Sequence, residues 1–180
     1  MLLGIMGAMP EEMDKLIAAI NNKEIIERGS RIYYRGDLYG QEVVAVFSRW
    51  GKVAAATTVT TLIHEFSVDR IVFTGVAGAI SPDLNVGDIV VAQRLFQHDM
   101  DARPLMRRFE IPLTGKTSYE IPQQNVETIS LAVHNFLKND KDFRKTLSEH
   151  HISHPKMLIG DIASGDLFIS STPMKEALLK

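Results

Sequence analysis

Glu12 is the residue whose type and position best suit chemistry. It follows Gly7-Ala8-Met9 and falls in the opening turn of a helix that begins at Pro10. A carboxylate placed there, just past a strand end, can face the rim of a sheet and hold a water. Cleavage of an N-glycosidic bond needs such a group. A base draws a proton from water as a ribosyl cation develops, and an acid neutralises the departing base. A plainer reading stands beside it: Glu11 and Glu12 favour the positive end of the helix dipole. Both hold if Glu11 is structural and Glu12 reactive.

Two more strand ends carry glycine turns, Gly75 to Ala79 and Ser164-Gly165-Asp166. Glycine lets the backbone itself approach a ligand. If the three strands are parallel, their turns share one rim, where open α/β sheets bind ligands. A rim of that kind suits a nucleoside better than a polymer. The alternative is that the glycines only end strands. Asp166 reads as a turn-ordering carboxylate or as a catalytic one. Phe168 either stacks on a purine or packs in the core. Trp50, between Arg49 and Gly51, lines a pocket or covers the core. His98-Asp99 invites a dyad or a metal site, but adjacent residues seldom address one atom, and no second histidine has supporting spacing. His134, His150, His151 and His154 read as surface residues.

Several chemistries lack their signature. Gly4-x-x-Gly7 is not the dinucleotide fingerprint, and there is no P-loop or G-x-S-x-G elbow. With no cysteine, disulfides, thiol catalysis and thiolate metal sites are excluded.

The elements that must position these residues follow from pattern. Residues 2–6 read as a strand buried on both faces. Pro10 suits the first helical position, and Met13, Leu16, Ile17 and Ile20 recur with helical period. Residues 32–48 form two β-rich runs around Tyr39-Gly40-Gln41, which predicts an antiparallel hairpin and hence a mixed sheet. Gly51 precedes a helix with Val53, Ala56, Val59, Ile63 and Phe66 on one face, despite threonines that lower helix propensity. Ile71, Val72 and Phe73 predict a strand, and Asp88 to Ala92 another. From Gln93 to Gln124 periodicity fails, which predicts a lid or a dimer arm. Val126, Ile129, Val133, Phe136 and Leu137 predict an amphipathic helix. Asp140 to His154 is polar, with a helical signal in its first half. Met157 to Ala163 predicts a strand, and Pro173 opens a last helix for which Lys180 offers no C-cap.

The 180 residues suffice for one domain with a buried core, and no linker or repeat divides them. A formal net charge of -2 with interspersed signs argues against nucleic-acid binding. The start MLLGIMGAMPEEM reads neither as a secretory signal nor as a membrane span, so the cytoplasm is the expected location.

Taken together, these segments resemble a known family. Gly4 to Glu12, Gly51 to Ala56, Thr74 to Gly78, Val86 to Val90, His98-Asp99-Met100-Asp101 and Ser164 to Ile169 are similar, in order, to the bacterial methylthioadenosine/S-adenosylhomocysteine nucleosidases. The resemblance implies a nucleoside phosphorylase-like three-layer α/β/α fold around a central mixed sheet, in a single domain over 1–180. It implies a homodimer of methionine salvage that irreversibly hydrolyses methylthioadenosine or S-adenosylhomocysteine to adenine and the thioribose product. It implies no metal or organic cofactor, and the charge and the N-terminal sequence add the expectation of no nucleic-acid and no membrane partner. On the family pattern Glu12 polarises the attacking water. Ala8, Met9, Trp50, Val76, Ala77 and Gly78 line the substrate site, Met9 against the sugar. Phe168 stacks on adenine and the Ile169 backbone bonds its edge. The stretch from Ala102 through Leu105 and Arg107 to Pro112 reaches the neighbouring subunit's pocket.

The chain departs from the pattern in places. Val76 stands where serine is frequent, Trp50 replaces a smaller aliphatic residue and Arg107 replaces a tyrosine. These changes open the substrate to variation, for example an aminodeoxyfutalosine nucleoside. The family's Glu-x-Glu strand, whose second glutamate grips ribose hydroxyls, and its purine-protonating aspartate do not occur before Lys180. The resemblance therefore leads one to expect a sequence incomplete at its C-terminus, without its last strand or strands and helix. A protein that truly ended at Lys180 is expected to be inactive. Phosphorolysis by a purine nucleoside phosphorylase, a non-catalytic nucleoside-binding protein and a purely structural module are the alternatives.

Overall fold

The computed structural model describes residues 1–152 and 154–178. Lys180, at which the sequence offers no C-cap for the last helix, lies outside them. The chain forms two compact units, Met1–Ala77 and Gly78–Lys180.

The first unit is built on a five-stranded mixed sheet. Its strands are β1 (Leu3–Gly7), β2 (Asn21–Arg28), β3 (Arg31–Leu38), β4 (Gln41–Phe47) and β5 (Arg70–Phe73), in the order β2-β3-β4-β1-β5. β2, β3 and β4 form an antiparallel meander, and β1 runs parallel to both β4 and β5. Helix α1 (Pro10–Ala18) covers one face and α2 (Lys52–His64) the other. The alternation of side chains along a strand divides the core in two. Met6, Val44, Val46 and Tyr33 meet Leu62 and Phe66, whereas Ile5, Val43 and Ala45 meet Met13. Val43, Val44, Ala45 and Val46 are all fully buried, which a strand achieves only when both its faces are covered. Each buried aliphatic side chain here contributes about 1.5–3 kcal/mol of burial free energy. This unit is the α/β/α sandwich that the resemblance implies.

Two features of this unit differ from what the sequence leads one to expect. β2 was not legible, because its residues are almost all exposed and its pattern Asn-Asn-Lys-Glu-Ile-Ile-Glu-Arg shows no buried face. The buried face of α2 is Ala55, Thr58, Val59 and Leu62, with Phe66 buried just past its end, while Val53 and Ile63 are exposed. The helix is therefore rotated from the face predicted. The threonine hydroxyls are satisfied within the helix: those of Thr57, Thr58, Thr60 and Thr61 each donate to a carbonyl four residues back. That satisfies even Thr58, which is fully buried.

The second unit holds a three-stranded sheet in the order β7-β6-β8. β6 (Ile89–Gln97) runs parallel to β8 (Met157–Ser164) and antiparallel to the short β7 (Tyr119–Glu120). β6 extends five residues past the predicted Asp88–Ala92. The register slips between Ala92 and Arg94, and this irregularity breaks the alternation that sequence reading relies on. Arg94 then lies opposite Asp161 and grips it with two hydrogen bonds, 3.0 and 2.6 Å. This side-chain bond holds the Asp161 carboxyl below its ordinary value. Helix α3 (Gln123–Asn139) packs on β6 and β8, and α4 (Lys141–Glu149) follows it, joined through the tilted ring contact of Phe136 and Phe143. Asp140 caps α4 by accepting from the Phe143 N–H. Helix α5 (Thr172–Leu178) is the last element among the described residues.

Candidate functional site

The position of Glu12 follows from the local sequence. Met9 is extended (φ -130°, ψ 146°) and Pro10 starts α1, so Glu12 becomes the third helical residue. A glutamate there can fold back on the amides that precede the helix. It does: Oε2 accepts from the N–H groups of Ala8 (2.8 Å) and Met9 (3.0 Å). Oε1 accepts from the Val76 N–H at 2.9 Å. The carboxylate thus bridges the turn after β1 and the turn after β5.

Parallel pairing makes that bridge possible. β1 and β5 run side by side from Leu3 opposite Arg70 to Met6 opposite Phe73. The Thr74 N–H still bonds the Met6 carbonyl at 3.0 Å, so the two chains diverge only at their glycines. Both glycines have a steric reason. A β-carbon on Gly7 would lie 2.8 Å from Met13 Sδ, and one on Gly75 would lie 2.7 Å from Glu12 Oε1. Neither adopts left-handed backbone, so space rather than conformation demands glycine. On the other side of β1, Ser48 is buried and donates its hydroxyl to the Gly7 carbonyl, while its N–H bonds the same oxygen. The β1 turn is held from both neighbours.

An ionised carboxyl has about four acceptor positions. Three are filled by backbone N–H groups, and the fourth, on Oε1, is taken by no described residue. A single acceptor position on a carboxylate fixed by three amides can orient one water.

The other sequence-selected residues fall as follows. Ala8, Met9 and Val76 hold Glu12 through their amides, and Ala77 closes the first unit. Trp50 follows β4 and is 75% exposed, next to Gly51, whose φ of 92° starts α2. In the second unit, Gly78 has open space around it and Phe168 is 88% exposed. Phe168 is therefore not a core residue, and the packing alternative is set aside for it. Ile169 is half-buried. Ala102, Leu105, Arg107 and Pro112 belong to the segment between β6 and β7, where Leu105 projects into solvent and Arg107 pairs with Glu110 at 3.0 Å. Among the described residues no three histidine, aspartate or glutamate side chains converge as a metal site.

Sequence reading missed three features. The amides of Ala8, Met9 and Val76 carry no side-chain signal. Asp99 accepts from the Asp166 N–H at 2.7 Å. Asp88 accepts from the amides of Asn85 and Lys156, which holds its carboxyl below the ordinary value and ties the turn before β6 to the start of β8.

Residues 2–180 match the family model described as the phosphorylase superfamily. The chain belongs to that superfamily. Within it, the chain falls in the nucleosidase group. It is 33% identical over 178 residues to an aminodeoxyfutalosine nucleosidase of Helicobacter pylori, covering 98% of this chain and 70% of that protein. It is 34% identical over 169 residues to a 5'-methylthioadenosine/S-adenosylhomocysteine nucleosidase of Pseudoalteromonas translucida, covering 94% and 65%. A crystal structure of a Helicobacter pylori methylthioadenosine nucleosidase variant, with 5'-methylthioadenosine in its active site, matches with a TM-score of 0.79 at 30% identity, covering 98% and 70%. The nucleosidase group is thus common to all three, and glycosidic-bond hydrolysis is its activity. No described helix is long and apolar enough to cross a membrane.

Proposed function

We propose that the protein hydrolyses the N-glycosidic bond of a 5'-substituted 6-aminopurine nucleoside, with an aminodeoxyfutalosine-type nucleoside as its preferred substrate. The carrying observation is the Glu12 carboxylate, fixed by three amides with one acceptor position left on Oε1. In the proposed mechanism a water donates to that position. As the bond between ribose and purine lengthens, positive charge develops on the sugar. The water oxygen bonds to the anomeric carbon and its proton passes to Glu12. The departing purine takes a proton at a ring nitrogen from solvent, and Glu12 returns the proton it took from water to solvent, so free adenine leaves and the carboxylate is regenerated. Preorganisation is the source of the gain: the amides hold the base where it is needed before substrate arrives.

The substrate class rests on the similarity to the Helicobacter pylori aminodeoxyfutalosine nucleosidase and on Val76, Trp50 and Arg107, where the chain departs from the methylthioadenosine pattern. Phe168, exposed beyond its glycine turn, is assigned to stack on the purine, and the Ile169 backbone to bond its edge. Met9, Ala77 and Gly78 are assigned to the sugar and base. The stretch from Ala102 to Pro112 is assigned to the pocket of a second subunit in a homodimer. Methylthioadenosine is the second reading, favoured by the relative that holds it in its active site. The test is a comparison of kcat/KM for aminodeoxyfutalosine, methylthioadenosine and S-adenosylhomocysteine, using the protein as encoded. A higher value for aminodeoxyfutalosine is expected. A higher value for methylthioadenosine selects the second reading, and adenine release from none of them refutes both.

A further inference from the structure

We propose that His98 and Asp99 are positioning residues that set the turn from which Phe168 and Ile169 reach the purine. This rests on the assignment of Phe168 and Ile169 made above. β6 and β8 are parallel and end together, with Gln97 opposite Ser164. The pairing continues one step further, since the His98 N–H bonds the Ser164 carbonyl at 3.0 Å. Then the two chains lock. The Asp99 carboxylate accepts from the Asp166 N–H at 2.7 Å. The His98 ring closes over Gly165, where a β-carbon would lie 2.6 Å from Nε2 and 2.8 Å from Asp99 Cγ.

Gly165 does not use left-handed backbone, so its lack of a side chain serves the His98 contact and not a special conformation. His98-Asp99 thereby acquires a role that its sequence left open. The two side chains act on the same residue pair, Gly165 and Asp166, instead of forming a dyad for catalysis. Phe168 itself is 88% exposed and gains little rigidity from its own packing. The Asp99 bond two residues earlier is a fixed point of its loop.

The experiment compares the protein as encoded with Asp99→Ala, Asp99→Asn and Gly165→Ala. Adenine affinity is read by calorimetry, KM and kcat by adenine release, and the Asp166 amide by hydrogen exchange. Asp99→Ala is expected to weaken adenine binding and raise KM roughly tenfold or more, as loss of a hydrogen bond to a charged group requires, with kcat changed less than about threefold. Exchange at the Asp166 amide should accelerate in that variant. Asp99→Asn keeps an acceptor oxygen and should restore most of the affinity and the protection. Gly165→Ala should behave like Asp99→Ala. The inference is overturned if Asp99→Ala binds adenine like the parent, if KM and kcat fall together, or if Asp99→Asn rescues nothing. A parent protein that binds no adenine would instead sink the purine assignment on which the inference rests.

Discussion

Replacing Gly75 with alanine would put a methyl group 2.7 Å from Glu12 Oε1 and 2.8 Å from both Cδ and Oε2. Ordinary contact starts at 3.4 Å. The carboxylate must therefore retreat by about 0.7 Å, and a retreat along the Val76 hydrogen bond stretches it from 2.9 Å to about 3.6 Å and breaks it. The water position on Oε1 moves by the same amount. Misplacement of a catalytic group by about 1 Å costs roughly a hundredfold in rate, so kcat/KM should fall about 10- to 100-fold. The lost hydrogen bond to a charged group should also lower stability by about 1.5–3 kcal/mol. Adenine release followed by ultraviolet absorbance reads the first effect, and thermal unfolding the second. Gly160→Ala is the control, because its β-carbon would meet only Val90 Cγ1 at an ordinary 3.6 Å. Gly75→Ala activity within about threefold of the parent would refute the claim that the Glu12 position limits the rate.

Two further outcomes follow from the same geometry. Gly7→Ala would press a β-carbon against Met13 Sδ and Cγ, at 2.8 and 2.9 Å, and the Thr74 carbonyl at 3.1 Å. Overpacking of that order should destabilise the protein by about 1–3 kcal/mol in urea unfolding. The side-chain hydrogen bond from Arg103 holds the Asp101 carboxyl at about 2, below its ordinary 3.8. The folded value is the depressed one, so the pair favours the folded state above about pH 4 and loses that contribution as pH falls through about 2. A carboxyl carbon titration by NMR should show the low midpoint, and Arg103→Ala should return it towards the ordinary value.

Much of the first unit can be read from sequence because its core strands are buried on both faces. Leu3, Ile5 and Met6, and Val43 to Val46, announce themselves as continuous apolar runs. β2 is an edge strand with exposed side chains, and nothing in its composition distinguishes it from a loop. The second half of β6 was hidden by its slip at Gln93, which turns a strand pattern out of phase. The rotation of α2 has a different cause. Thr58 is buried because its hydroxyl is satisfied within the helix, and a hydrophobicity pattern assigns threonine to solvent. At the site, Glu12 was identifiable from its place after a strand-end turn. Its partners were not, because they are main-chain amides brought together by parallel pairing. His98-Asp99 was conspicuous by type, yet its target at Gly165 and Asp166 depends on β6 and β8 ending in register.

The most direct measurement is adenine release by the parent protein and by Glu12→Gln, each with and without inorganic phosphate. Release from the parent is expected at a rate that phosphate does not change. Glu12→Gln is expected to lose roughly a hundredfold or more in kcat, since the amide keeps the shape of the carboxylate but cannot take the proton from water. Phosphate-dependent turnover, or a Glu12→Gln protein as fast as the parent, would contradict hydrolysis through Glu12.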